Sequence, residues 1–234
     1  MLIDLLFPKH CPVCMDVLPP GKKLICAPCV KKMPRVREPY CLKCGRPMEA
    51  GDEWKEYCRN CEKRFPSFEK GLVYGVYHTE VMSRLMAQVK YHEDPQLLDY
   101  PCLDFAESTK EQVQAFSAEC LIPVPVHKSR LKERGYNQAE EIARRLSAVW
   151  EIPTDSRYLV RKEKTAPQKT LTDYERLLNL QKVFDINGPR GKYRRVILVD
   201  DILTTGATAE ACTWTLKKAG VEEVYFAALS AVKG

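Results

Sequence analysis

One stretch of thirteen residues, Val196 to Thr208, constrains the fold more than any other part of the chain. It opens with four apolar residues, three of them β-branched, which favour a short strand buried on both faces of a parallel sheet. Asp200 and Asp201 follow where this strand is expected to end, and a turn of threonines and glycine comes next. A helical pattern from Ala209 to Ala219 follows, and Gly220 stops it. The stretch predicts a strand, a loop and a helix of an α/β sheet.

The composition of the loop indicates its chemistry. In open α/β sheets ligands bind at the carboxyl ends of strands. Small hydroxylated residues that open a helix offer N–H groups, hydroxyl donors and a positive dipole end, which together suit a phosphate. Two acids repel phosphate but suit sugar hydroxyls or a bridging Mg²⁺. The alternative is a strand, an acidic turn and an N-capping threonine with no ligand.

The complete pattern resembles the signature of type I phosphoribosyltransferases, which bind 5-phosphoribosyl-1-pyrophosphate (PRPP) with Mg²⁺. The resemblance implies an α/β fold with a mostly parallel sheet flanked by helices. It also implies that Asp200 and Asp201 meet the ribose 2′- and 3′-hydroxyls. The loop that would wrap the 5′-phosphate consists of Thr204, Thr205, Gly206, Ala207 and Thr208.

Eight of the eleven cysteines form four C-x-x-C pairs near the start of the chain. Thiolates at i and i+3 on a tight turn can share one ion, and two such turns complete a tetrahedral S₄ site. Disulfides are the weaker interpretation, because a cytosolic compartment is reducing. The pattern predicts two structural zinc ions, which supply much of the folding energy of a region with few large apolar residues. The predicted ligands are Cys11, Cys14, Cys26, Cys29, Cys41, Cys44, Cys58 and Cys61.

The sharing of ions among the four pairs is a separate question. Eleven residues separate the first pair from the second, and thirteen separate the third from the fourth. We predict sequential sharing because it closes the shorter loops. A cross-braced arrangement, first pair with third and second with fourth, is chemically permissible and stays open. Cys102, Cys120 and Cys212 have no partner at ligand spacing and are predicted to be buried, inert thiols.

A linker around Phe65 to Gly71 suggests two domains, a zinc-ribbon module at 1–68 and an α/β domain at 69–234. A chain of 234 residues is long enough for both. No apolar run approaches the ~20 residues of a membrane span, and Met1 to Phe7 is a poor secretory signal because it contains an acid and lacks a basic leader. We therefore expect a cytoplasmic protein with no membrane insertion.

The basic charge is concentrated near the start of the chain. Residues 1–70 hold 14 Lys/Arg against 9 Asp/Glu, so they carry five of the six net positive charges. This asymmetry suggests an acidic partner such as DNA, although a solvated surface is an equal alternative. The candidate phosphate contacts are Lys22, Lys23, Lys31, Lys32, Arg35 and Arg37.

A second candidate site region follows the predicted strand Cys120 to Val126. A basic loop begins there at His127 and should reach the same edge of the sheet, and Asn137 can cap the next helix. Arg130 and Arg134 predict a pyrophosphate clamp, because guanidinium groups bind such oxygens bidentately. The alternative is a solvated basic loop. Further on, the polar stretch Arg161 to Leu171 predicts a flap that excludes water from the site.

Along nearly its whole length the chain resembles the ComF family. The resemblance implies a double zinc ribbon joined to a phosphoribosyltransferase-like domain, a role in DNA uptake during natural transformation, and a ComFA-type DNA helicase as partner. The motifs that carry it are the four C-x-x-C pairs, Ile122-Pro-Val-Pro125, Arg130-x-x-x-Arg134-Gly-Tyr-Asn-Gln-Ala139, Thr165-x-x-Gln168-x-x-Leu171, Arg176-x-x-Asn179 and Val199 to Thr208.

Three functions remain open on these grounds: an active phosphoribosyltransferase, a regulator that binds PRPP or a nucleotide without turnover, and a DNA-associated adaptor. If PRPP reacts, Mg²⁺, Arg130 and Arg134 would stabilise the departing pyrophosphate, while Asp200 and Asp201 hold the ribose and stabilise the cation. No residue identifies the phosphoribosyl acceptor. The N-terminal region lacks a helix-turn-helix pattern, which argues against a repressor.

Overall fold

A parallel sheet runs through the centre of the computed structural model, which describes residues 9–19, 24–91, 94–162 and 182–234. Its strands lie in the order β1, β6, β5, β2, and Val196 of β5 pairs with Val224 of β6 and Cys120 of β2. Because β5 has a neighbour on each side, its apolar residues 196–199 are fully buried. The bounds are β1 Gly71–Val76, β2 Cys120–Pro123, β5 Arg195–Leu203 and β6 Glu223–Ala231. A separate antiparallel pair consists of β3 Leu159–Arg161 and β4 Phe184–Ile186.

Several of the helices in the described residues pack on the two faces of this sheet. They are α1 Ala27–Lys31, α2 Arg59–Lys63, α3 Glu80–Tyr91, α4 Asp99–Phe116, α5 Lys128–Arg134, α6 Gln138–Trp150 and α7 Ala207–Lys218, with a 3₁₀ turn at Pro95–Leu98. Apolar residues of α3, α4 and α6 join one core cluster with Ile197, and those of α7 join a second cluster with Leu198. Neighbouring strand residues point to opposite faces, so each cluster covers one side of the sheet.

The two cysteine-rich ribbons take part in these clusters. Cys11 and Cys29 of the first ribbon belong to the cluster that contains Ile197, and Cys41 and Cys61 of the second belong to the one that contains Leu198. Each ribbon therefore shares the buried core on one face of the sheet.

The predicted strand and helix of the central stretch are present with shifted ends. Strand β5 continues through Asp200 and Asp201 to Leu203, so the acids lie within its last residues. Helix α7 begins at Ala207, two residues before the predicted start, and Gly206 at its N-cap has φ +84. Gly220, with φ +100, follows the end of the helix as predicted.

The expectation of a basic loop after β2 was wrong. Residues 128–134 form helix α5, and the His127 ring nitrogen Nδ1 accepts a hydrogen bond from Ser129 N at its start. Lysine, arginine, leucine and glutamate all have high helix propensity, which explains the outcome. Asn137 caps α6 as predicted, because its side chain accepts from Ala139 N at 3.1 Å.

Other predictions have mixed outcomes. Arg161, placed at the start of the predicted flap, lies in β3. The remainder of the flap, with the motifs at 165–171 and 176–179, lies outside the described residues. Cys102, Cys120 and Cys212 are buried thiols, and burial raises the pKa of Cys102 to about 12. Within the described ranges, no helix has both the length and the apolar character needed to cross a membrane.

The boundary between 68 and 69 stays a prediction. Backbone hydrogen bonds cross it, since Gly71 N donates to Lys43 O and Val36 N donates to Tyr74 O, each at 2.7 Å.

Candidate functional site

The eight paired cysteines come together in two groups of four. One group consists of Cys11, Cys14, Cys26 and Cys29, and the other of Cys41, Cys44, Cys58 and Cys61; in each group the sulfur atoms lie within 4.8 Å of one another. This is the sequential arrangement that the shorter loops favoured.

The spacing of the sulfurs fits zinc. Cys14 Sγ and Cys26 Sγ are 3.6 Å apart, and Cys44 Sγ and Cys58 Sγ are 3.8 Å apart. Four thiolates at the usual Zn–S distance occupy a tetrahedron whose edge is about 3.8 Å. A disulfide requires sulfurs about 2 Å apart, and all eleven cysteines are free. Each group therefore has the donor set and the spacing of a closed structural zinc site.

A cavity of about 270 Å³ lies at the carboxyl ends of β2 and β5. Asp200 and Asp201 reach it from β5, and Thr204 and Thr208 from the loop and first turn of α7. The loop is shaped locally: Gly206 supplies the positive φ, and Ala207 N donates to Thr205 Oγ1 at 3.3 Å. The predicted loop residues thus surround the start of a twelve-residue helix, where backbone N–H groups lack helical partners.

Arg130 and Arg134 enter the same cavity from helix α5. They are four residues apart, so they share one face of that helix. Asn137 anchors the segment that follows α5, because its side-chain amide donates to Val124 O at 3.1 Å just beyond β2. Arg134 Nη1 also donates to Gln138 Oε1 at 3.3 Å. The structure therefore brings together two carboxylates, a phosphate-type loop and two guanidinium groups.

Two further cations, which the sequence did not identify as site residues, also line the cavity. Lys90, at the end of α3, places Nζ 3.2 Å from Asp201 Oδ2. Arg161 comes from β3, where its guanidinium lies 5.6 Å from the centre of the Phe184 ring. Burial and the nearby Arg130 charge lower the pKa of Arg161, although an arginine stays protonated at physiological pH. The cavity is therefore a strongly cationic surface beside two acids.

The two acids differ in environment. Desolvation, followed by the negative charge of Asp201, raises the pKa of the Asp200 carboxyl well above its usual range. Asp201 N donates to Asp200 Oδ1 at 2.9 Å, which offsets part of this effect. Asp201 has Lys90 as a counter-ion. Asp200 is therefore the acid that gains most from a hydroxyl donor or a metal ion, since either stabilises its charged form.

Comparison with protein families gives two matches along the chain. Residues 2–62 match the double zinc ribbon domain, and residues 131–233 match the phosphoribosyl transferase domain. The first match contains the two Cys₄ groups, and the second contains β5, the threonine loop (residues 204–208) and α7.

Relatives match over much longer stretches. Competence protein F of Haemophilus influenzae is 33% identical over 93% of this chain and 95% of its own length. The chain belongs to the ComF family. Competence protein ComFC of Bacillus subtilis is 30% identical over 82% of this chain and 77% of its own length. The DNA utilization protein YhgH of Escherichia coli K12 is 26% identical over 93% of this chain and 94% of its own. Membership accounts for the order of a double zinc ribbon and then a phosphoribosyltransferase domain.

The basic residues predicted to contact phosphate do not form one free patch. Those at 22 and 23 lie outside the described residues. Arg35 donates to both carboxylate oxygens of Asp104, one bond measuring 2.9 Å, and to Tyr100 Oη at 2.9 Å. Its guanidinium thus ties the segment between the ribbons to α4. Lys31, Lys32 and Arg37 are exposed, and Arg35 is exposed as well although it is paired.

Proposed function

We propose that this protein binds PRPP together with Mg²⁺ at the carboxyl end of β5. The observation that carries the proposal is the meeting, in one cavity, of Asp200 and Asp201, the threonine loop, and the guanidinium groups of α5 and β3. A sugar flanked by a 5′-phosphate and a pyrophosphate needs all three kinds of group. A ligand with phosphate alone would leave the two acids without a use.

Each part of PRPP has a chemical counterpart. The ribose 2′- and 3′-hydroxyls would donate to Asp200 and Asp201, and Thr204 to Thr208 would surround the 5′-phosphate with N–H and hydroxyl donors. Arg130 and Arg134 would bind pyrophosphate oxygens, with Arg161 adding positive charge. Mg²⁺, which prefers oxygen ligands, would be held by these carboxylates and would offset negative charge on the pyrophosphate.

If transfer follows binding, this chain's residues act mainly by electrostatics. The arginines stabilise the negative charge that grows on the leaving pyrophosphate, and the acids stabilise the positive charge that grows on the ribose. Lys90 orients Asp201 through their ion pair.

Calorimetry with PRPP, ribose 5-phosphate and pyrophosphate, each in Mg²⁺, tests the assignment part by part. The double variant Asp200→Asn/Asp201→Asn should lose most PRPP affinity. Thr208→Val should weaken PRPP and ribose 5-phosphate by roughly 1.5–3 kcal/mol and leave pyrophosphate unaffected. Arg134→Met should weaken the binding of pyrophosphate and leave the binding of ribose 5-phosphate unaffected.

The matched control is Asp99→Asn, which removes an exposed carboxylate of α4 that pairs with Arg145. It should bind all three ligands as the wild type does. Unchanged PRPP binding by the double asparagine variant would refute the site. Release of pyrophosphate with a panel of bases, amines and nucleic acids then distinguishes a transferase from a protein that only binds.

We further propose that the protein acts in DNA uptake during natural transformation, with DNA or a ComFA-type DNA helicase as partner. The names of its relatives support this role, as do the exposed cations Lys31, Lys32 and Arg37. A naturally transformable host that carries this chain in place of its own homologue provides the test. The Asp200/Asp201 double variant should then lower transformation frequency while protein abundance stays constant.

A further inference from the structure

Arg46 joins the second Cys₄ group to the loop that follows β5. Its side chain is 2% exposed, although arginine is seldom buried without partners. Nε donates to Cys44 Sγ at 3.3 Å, and Nη2 donates to the carbonyl oxygen of Thr204 at 2.9 Å. One guanidinium thus contacts a cysteine of the zinc ribbon and the first residue of the candidate phosphate loop, 158 residues apart.

The contact with Cys44 depends on the charge of the sulfur. A cysteine that binds zinc is a thiolate, and four thiolates leave the site with net negative charge. A guanidinium beside such a sulfur gains a charge-assisted hydrogen bond and holds the ligand in orientation. A neutral, unligated thiol is a much weaker partner. The position of Arg46 therefore depends on the state of the second Cys₄ group.

The contact with Thr204 acts on the shape of the loop. Its carbonyl and the Thr205 N–H belong to one planar peptide and point in opposite directions. A fixed carbonyl therefore fixes this N–H, together with the start of the turn that leads to Gly206. Thr204 itself lines the cavity.

The surroundings of Arg46 leave it little freedom. Gly45 lies so close to Gly71 that a Cβ atom added to it would be 2.5 Å from Gly71 O, so the ribbon backbone packs directly on the start of β1. Gly234 packs against the Arg46 side chain itself, since a Cβ atom added there would overlap Arg46 Cδ. Nη1 is buried and has no hydrogen-bond partner within the described part of the chain, so the burial of this charge relies on the other two nitrogens.

We propose that Arg46 is a positioning residue that couples the second Cys₄ group to the threonine loop. With metal bound, Arg46 holds the Thr204 peptide in the orientation that binds the 5′-phosphate; without metal, this constraint is lost. The proposal rests on the proposed function for its ligand. Because coupling is reciprocal, PRPP must also affect the metal site.

Cadmium-113 NMR and calorimetry together test this coupling. In protein loaded with ¹¹³Cd, each Cys₄ group gives a resonance, and Cys14→Ser identifies that of the first group by its loss. PRPP should shift the second-group resonance in the wild type and leave it unmoved in Arg46→Met. Arg46→Met should also weaken PRPP binding roughly 10-fold. Arg46→Lys keeps the positive charge but lacks the two-armed guanidinium, so its PRPP affinity should lie between those of the wild type and Arg46→Met.

The matched control is Arg59→Met in the same ribbon, whose guanidinium pairs with Asp52 at 2.7 Å and does not contact the loop. It should retain the PRPP-induced shift and wild-type affinity. A PRPP-induced shift that persists in Arg46→Met, or unchanged PRPP affinity in that variant with both metals bound, would overturn the proposal. If Arg46→Met fails to hold the second metal, the same comparison is made with Arg46→Lys.

Failure of the proposed function is distinguishable from failure of this inference. If the wild type does not bind PRPP, the proposed ligand is wrong, and amide hydrogen exchange still measures the coupling. The amides of residues 205–208 should then exchange faster in Arg46→Met than in the wild type or in Arg59→Met. Equal exchange in all three proteins would overturn the positioning role.

Discussion

Replacing Lys90 with methionine should destabilise the folded protein by about 1–3 kcal/mol, a value between those for exposed and fully buried ion pairs. Lys90 Nζ lies 3.2 Å from Asp201 Oδ2, and the two side chains are only 19% and 21% exposed. At that separation two unit charges attract by about 5 kcal/mol at an effective dielectric constant of 20. Desolvation of both groups offsets much of this attraction. The variant is nonetheless affected, because the acid pair of β5 loses its counter-ion.

A double-mutant cycle with Lys90→Met and Asp201→Asn isolates the ion pair. Urea denaturation at neutral pH should give a coupling energy of about 1–3 kcal/mol. In acid, where carboxylates are neutral, the coupling should approach zero. The cycle on Lys110 and Glu151, a pair 3.4 Å apart but 42% and 79% exposed, serves as the control and should give less than about 1 kcal/mol.

Two results would contradict this reasoning. One is a Lys90–Asp201 coupling no larger than that of the exposed control pair. The other is a coupling that persists unchanged in acid, which would mean that packing of the lysine stem, and not charge, holds α3 against the end of β5.

Three further predictions concern the acids, the zinc sites and DNA. Burial and Asp201 raise the pKa of Asp200, so wild-type stability should fall as the pH rises from the ordinary carboxyl range through that raised pKa. The variant Asp200→Asn should lack this fall, and thermal unfolding midpoints of both proteins measured against pH test it. Elemental analysis should find two zinc ions in the wild type and one in Cys14→Ser or Cys44→Ser, and two zinc ions in either variant would refute the ligand set. Calorimetry should show weaker PRPP binding for Cys44→Ser but not for Cys14→Ser. Changing Lys31, Lys32 and Arg37 to glutamine should reduce the slope of log DNA affinity against log salt by about 2–3 and spare PRPP binding; an unchanged slope would exclude this surface.

Local patterns in the sequence predicted the elements that depend on neighbouring residues. Four consecutive apolar residues at 196–199 favour a strand that is buried on both faces of a sheet. Gly206 and Gly220 mark the turn before α7 and the end of that helix. The two Cys₄ groups were predictable for the same reason, since C-x-x-C spacing already places two sulfurs on one turn.

Two residues that tertiary structure brings to the site, Lys90 and Arg161, gave no comparable signal. Lys90 lies 111 positions before Asp201, at the end of a helix whose apolar stripe suggested only packing. Arg161 was assigned to a polar flap because charged residues follow it in the chain, yet it belongs to β3 and lines the cavity. A basic residue at the end of a predicted strand was the available clue. Its weight was small, because β3 does not belong to the central sheet.

The sequence also suggested that the metal supplies much of the folding energy of the module at 1–68, because this region has few large apolar residues. In the structure the ribbons contribute to the buried core as well as to the metal sites. Cysteines counted as metal ligands are also buried surface: Cys41 and Cys58 are fully buried in the cluster that contains Leu198, and Cys11 is fully buried in the one that contains Ile197. Opening either ribbon would expose part of the core on one face of the sheet as well as the sulfurs. Metal binding and burial of the sheet therefore stabilise the same structure, and the free energy that zinc supplies is shared with the domain that holds the candidate PRPP site.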